Sequence, residues 1–206
     1  MMKVFLAFLS FFLFFAGSVT NKESGLNVLK SEKGFLFIFN DSIESFLVEV
    51  PGKKFVDVEP EELIFSVDGQ ILQFTIVPFK EFYDARKSGD TLRQHFEFEV
   101  EYISKNFKID SKQFKPTIFQ IGSGTKGYYW ELERETSMLD TSSETVVKQI
   151  FSSANTSRYV VLLSSPITRG NDYKQCRQRI FETMKSFRYI NGAFDIDSIR
   201  NSMRIK

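Results

Sequence analysis

The chain has one cysteine, Cys176, one histidine, His95, and one tryptophan, Trp130, in 206 residues. A single cysteine forms no internal disulfide, so the fold depends on its packed interior. With one His and one Cys, and with no HExxH or CxxC spacing, no zinc site is expected and no metal is assigned. Charge of either sign is not in excess: 27 Lys and Arg face 26 Asp and Glu. The absence of a dense basic block argues against a nucleic-acid partner, because such binding rests largely on phosphate neutralisation. Past the first eighteen residues no apolar run is long enough to cross a bilayer.

Phenylalanine is what the chain has in quantity, at 24 residues. The first cluster lies in the leader. Lys3, the apolar run Val4 to Ala16 and the small residues Ala16, Gly17 and Ser18 follow the order of a secretory signal. The expected organisation is a signal peptide at 1–18, a flexible segment at 19–33, one α+β domain at 34–190 and a C-terminal tail at 191–206. The product is then secreted or periplasmic, with no stable membrane insertion once the signal is removed.

Runs rich in Phe, Val and Ile read as strands at 35–39, 46–50, 63–67 and 71–77. Asp68-Gly69 between the last two is a hairpin signal, because both central positions of a type I′ turn need positive φ. Further strands are expected at 117–121, 128–133, 146–151 and 159–164, the last ended by Pro166. The connections among them are too short for crossover helices, so antiparallel pairing follows.

Two patterns compete over 90–107. A helix capped by Asp90 puts Leu92, Phe96, Val100, Ile103 and Phe107 on one stripe, with Glu97, Glu99 and Glu101 largely toward solvent. A strand would alternate Phe96, Phe98, Val100 and Tyr102 with those same glutamates. The helical pattern is longer and is preferred. A second helix, opened by Asn171 or Asp172, carries Tyr173, Cys176, Ile180, Met184 and Phe187 on its inner face and Lys174, Arg177, Arg179, Glu182 and Lys185 on the other. The tail is either a short edge element or without fixed structure. Two one-sided helices with many strands predict an antiparallel sheet flanked by helices, in three α/β/α layers.

Candidate sites are few. His95, with Asp90 and Glu99 nearby, is the one weak candidate for acid–base chemistry, in a carboxylate-dependent hydrolase. Cys176 sits on an apolar stripe and reads as a small hydrophobe. Gly122 to Lys126 lacks the spacing of a phosphate loop, and the strand expected after it replaces the helix such a loop requires. Lys126, Tyr128, Tyr129 and Trp130 form the densest aromatic stretch; one ring of the three faces outward for binding unless both faces of the sheet are covered. Asn40 and Asn155 open glycosylation triplets that matter in a eukaryotic source. No cofactor is implied.

The order of elements, with Tyr159-Val160-Val161-Leu162-Leu163-Ser164-Ser165 before the final helix, resembles the superfamily of the photosystem II accessory protein PsbP and the Ran-binding protein Mog1. The resemblance spans Gly34 to Phe187 and rests on element order, without a diagnostic motif. It implies an antiparallel sheet between helical layers, and it carries no catalytic residue onto this chain. The leading expectation is a non-enzymatic exported binding or accessory domain, with an unknown protein or small ligand as partner. The alternatives are the His95 hydrolase and an envelope structural or interaction protein.

Overall fold

A computed structural model describes residues 25–204 except 42, 88, 123 and 135–141. The expected signal at 1–18 lies outside the described residues. The order of elements is β1 (Gly25–Lys30), β2 (Gly34–Asn40), β3 (Glu44–Pro51), β4 (Phe55–Glu59), β5 (Ile64–Val67), β6 (Gln70–Pro78) and α1 (Thr91–Phe107), followed by β7 (Thr117–Gln120), β8 (Lys126–Glu133), β9 (Val146–Asn155), β10 (Tyr159–Thr168), α2 (Tyr173–Lys185), β11 (Arg188–Asn191) and α3 (Ile196–Arg204). The strands form two antiparallel sheets, ordered β1-β2-β3-β11 and β4-β5-β6-β10-β9-β8-β7. The fold is α+β, with sheets flanked by helices.

The seven-stranded sheet is covered on both faces. On one, Leu92, Phe96, Val100 and Ile103 of α1 pack against Tyr128, Trp130, Leu132, Phe151, Val160 and Leu162. On the other, Phe65, Val67, Leu72, Phe74, Tyr129, Ile150, Val161 and Leu163 meet the small sheet together with Cys176, Ile180, Met184 and Phe187 of α2 and the residues just beyond it. The second outer layer is therefore a four-stranded sheet beside a helix, where the sequence predicted a helix alone. Alternation along each strand sends neighbouring side chains to opposite cores. This is why β8 and β10 read as continuous apolar runs.

The phenylalanines are the material between the two sheets. Phe37 stacks on Phe65 with ring centroids 4.2 Å apart and presents its edge to Phe55 and Phe74 at 5.7 and 5.8 Å. The β5–β6 hairpin has the expected turn: Asp68 and Gly69 have φ of 52° and 84°.

Several expectations need correction. The 19–33 segment is not wholly flexible, because β1 occupies 25–30 and pairs with β2, its Leu26 and Val28 packing on the core. The tail begins at the last residue of β11 (Asn191), an edge strand on β3, and then holds α3, so it is not without fixed structure. Pro166 does not end β10, which continues to Thr168. Pairing with β6 stops at Ser164, so the proline's missing N–H interrupts no bond on that side. The 90–107 segment is a helix, with Asp90 Oδ1 accepting from the Arg93 N–H at 2.8 Å. Glu99 does not face solvent as its neighbours do, being 8 % exposed. The flank of α1 that carries it is covered by the segment after β6, where Phe82 meets both His95 and Phe98.

Candidate functional site

The sequence-predicted residues do not converge on one site. His95 is fully buried, and among the described residues its imidazole has no hydrogen-bond partner on either nitrogen. Nε2 lies 3.5 Å from Glu99 Oε1. Burial pushes the His95 pKa down to about 3 and the Glu99 carboxyl up to about 7. The imidazole is thus neutral at physiological pH, with no exposed surface for a dissolved substrate to meet. Asp90 is engaged as the α1 cap.

The aromatic trio is core. Tyr128, Tyr129 and Trp130 are 5, 4 and 1 % exposed, because α1 covers two of them and α2 the third. Only Lys126 of the expected binding group is on the surface. Cys176 is buried, and burial raises its thiol pKa, which suits an inert side chain. The Asn40 amide exchanges two hydrogen bonds with the Phe194 backbone, both 3.0 Å, so its Nδ2, the atom a glycan would occupy, is already engaged. Asn155 donates to Thr156 O at 3.1 Å. Among the described residues, no group of three or more His, Cys, Asp or Glu is placed to hold a metal ion, and no helix is long and apolar enough to cross a membrane.

Two polar clusters on α2 were not visible in the sequence. The first centres on Glu131, whose Oε1 accepts hydrogen bonds from the hydroxyls of Tyr129 and Tyr173 while Oε2 takes Lys148 Nζ at 2.8 Å. Arg177 Nε approaches to 3.6 Å, with its guanidinium over the rings of Tyr129 and Phe181. Burial works to raise the Glu131 carboxyl pKa, but the bonds from Lys148, Tyr129 and Tyr173 outweigh it and hold it below the usual range. The two tyrosine hydroxyls and Lys148 Nζ all converge on one carboxylate, so the cluster fastens the first turns of α2 to β8 and β9. Its stabilisation is present above the unfolded carboxyl pKa, near 4.3, and lost as pH falls through the lower folded value. Glu131→Gln should cost about 1–2 kcal/mol at neutral pH by removing charge-assisted bonds. Urea titrations at several pH values should also show a shallower acid loss in the variant than in the parent.

The second cluster builds a cleft. The guanidinium of Arg179, one turn past Cys176, is buried, although helical periodicity alone places it with the polar face. Its Nε–H donates to Pro51 O at 2.9 Å, and Nη1 donates to Val67 O and Gln70 Oε1 at 3.1 and 2.8 Å. Nη2 pairs with Asp68 Oδ2 at 3.0 Å. One side chain of α2 thereby holds the end of β3 and the β5–β6 turn. Asp68 extends the tie, accepting from the backbone N–H groups of Lys53 and Lys54.

The β1–β2 turn closes the arrangement. Gly52 N–H donates to Lys33 O at 3.1 Å, and Ser31 Oγ donates to Glu49 at 2.6 Å while accepting from Gly34 N–H. Gly34 is required by a close approach: a Cβ there would sit 2.0 Å from Val50 O. Between these turns and α2 lies a cleft of about 450 Å3, with Lys30, Lys33 and Lys53 on the turn side and Gln175, Gln178 and Arg179 on the helix side. Its walls come from residues up to 152 positions apart, which is why no local motif announces it. "PGKK" at 51–54 was the available trace, readable only as a strand end followed by two lysines.

No known protein family has a model that matches the chain, and no curated protein matches it. The functional reading therefore rests on this geometry.

Proposed function

We propose that the chain is an exported, non-enzymatic binding or accessory domain whose ligand seat is the cleft between the β1–β2, β3–β4 and β5–β6 turns and α2. One observation carries the reading: a buried arginine cross-ties two of the walls, leaving surface ammonium groups around a preformed hollow. A rigid frame around unpaired polar groups is what a ligand site needs. The leader from Lys3 to Ser18 supports export, and in this proposal the product works in the periplasm or outside the cell. Distant kinship with the PsbP/Mog1 superfamily belongs to the same proposal, supported by an antiparallel sheet with a helix on each face.

A second reading, an envelope interaction protein, is favoured by the edge strand β11. There Tyr189 and Ile190 are 38 and 37 % exposed, and Ile43, whose carbonyl accepts from Gly192, is 52 % exposed.

Expression of the full chain in a bacterial host tests both parts. The expected product is found outside the cytoplasm with a new N-terminus after Ser18. Its amide NMR signals at 30–33, 52–54 and 175–182 shift when low-molecular-weight extract is added. Retention of an uncleaved chain in the membrane would overturn the export claim, and shifts confined to β11 would transfer the binding role to the second reading.

A further inference from the structure

We infer that the ligand of this cleft is a compact oxyanion, a group bearing phosphate or clustered carboxylate charge. The inference rests on the binding role proposed above and adds the chemistry that fills the site.

The charges of the cleft are only partly matched. Seven charged residues line the cleft: Lys30, Lys33, Lys53 and Arg179 against Glu32, Asp68 and Glu182. Arg179 and Asp68 neutralise each other at 3.0 Å. Glu182 accepts from the Gln178 amide, whose Nε2 donates to Oε1 at 2.7 Å, a neutral contact that leaves its charge in place, so three ammonium groups face the carboxylates of Glu32 and Glu182. Among the described residues, none of the three lysines has a carboxylate within the 4.0 Å of an ion pair. Lys30 instead reaches the Lys53 carbonyl at 3.4 Å and lies over the Phe35 ring.

Three ammonium groups around one hollow repel one another, and the fold anchors their backbones around it. Lys30 ends β1 and Lys33 belongs to the three-residue turn 31–33, whose Ser31 Oγ accepts from Gly34 N–H, while Lys53 is fixed at its backbone by Asp68. An anion seated among them relieves that repulsion and gains charge-assisted hydrogen bonds. A neutral ligand would leave the repulsion in place. A cation would increase it, because the two carboxylates of the cleft outside the Arg179–Asp68 pair, Glu32 and Glu182, are outnumbered by the three ammonium groups.

The test uses the exported product and four probes: inorganic phosphate, citrate, glucose and spermidine. Amide NMR titration with phosphate or citrate should give saturable shifts at 30–33, 52–54 and 175–182. Affinity should fall roughly tenfold between low salt and about 0.5 M NaCl, because exposed charges are screened within a few ångströms there. The triple variant Lys30→Gln, Lys33→Gln, Lys53→Gln should bind at least about tenfold more weakly while keeping its melting temperature, since exposed side chains contribute little to stability. Saturable shifts of the same amides with glucose or spermidine, and none with either oxyanion, would overturn the inference and leave the binding role standing. If no probe or extract moves those amides, both fall. An unchanged oxyanion affinity in the triple variant would also overturn it.

Discussion

Replacing Arg179 by Met should lower the unfolding free energy by about 3–5 kcal/mol, the range for removing one partner of a buried, hydrogen-bonded charge pair. The guanidinium is 8 % exposed, and four of its N–H···O bonds are within 3.1 Å. Methionine fills much of the stem's volume, so the cost comes mainly from acceptors left dry. The Val67 carbonyl and Gln70 Oε1 lose their donor in a buried setting, where an unsatisfied group costs about 1–3 kcal/mol. Asp68 suffers less, because it is 31 % exposed and keeps its bonds from Lys53 and Lys54. Asp68→Asn should therefore cost markedly less than Arg179→Met in urea unfolding monitored by Trp130 fluorescence. Equal losses would show that the ion pair, and not the guanidinium's carbonyl contacts, does the fastening. The same variant frees the walls of the cleft from α2, so oxyanion affinity should fall even at temperatures where the protein remains folded.

Arg179 also marks where reading the chain residue by residue stops working. The stripe of Cys176, Ile180, Met184 and Phe187 identified the inner face of α2 correctly, since all four are buried. Periodicity assigns direction from the Cα, however, and a guanidinium on a long stem can curl from the flank of a helix to backbone carbonyls. Tyr173 shows the converse: it belongs to the stripe, yet at the first turn it is 36 % exposed and its hydroxyl turns to Glu131. The Asp68-Gly69 hairpin was legible because its information lies within two residues and one φ requirement.

The partition into two sheets was not legible. Phe35 to Phe39 and Phe46 to Val50 pair with each other as a hairpin would, but nothing local says that β3 then pairs with β11 rather than β4. β4 itself has only Phe55 turned to the core, with Val56 and Val58 both 46 % exposed, so its apolar pattern is weak. Covered faces hid the fate of Tyr128, Tyr129 and Trp130 too. A strand buried on both sides has no polar alternation to reveal which ring meets which helix.

Phe37→Ala should be the most damaging single change in the core, at about 3–5 kcal/mol, the range for large-to-small truncation of a buried aromatic. The residue has no exposed surface and is the point at which β2 of the small sheet touches three rings, those of Phe55, Phe65 and Phe74. Because all three belong to strands of the large sheet, the cavity would open between the sheets, where β4, β5 and β6 cannot close it without shifting the Arg179 tie at the hairpin's end. Phe37→Leu keeps most of the volume and loses chiefly the stacking, so about 1–1.5 kcal/mol is expected. Phe181→Ala supplies the comparison: that ring stacks on Tyr129 at 4.4 Å but is only partly buried at the rim, and its loss should cost clearly less than Phe37→Ala. Differential scanning calorimetry of the three variants orders them. If Phe37→Ala were no worse than Phe181→Ala, the small sheet would be an appendage rather than the second wall of a common core.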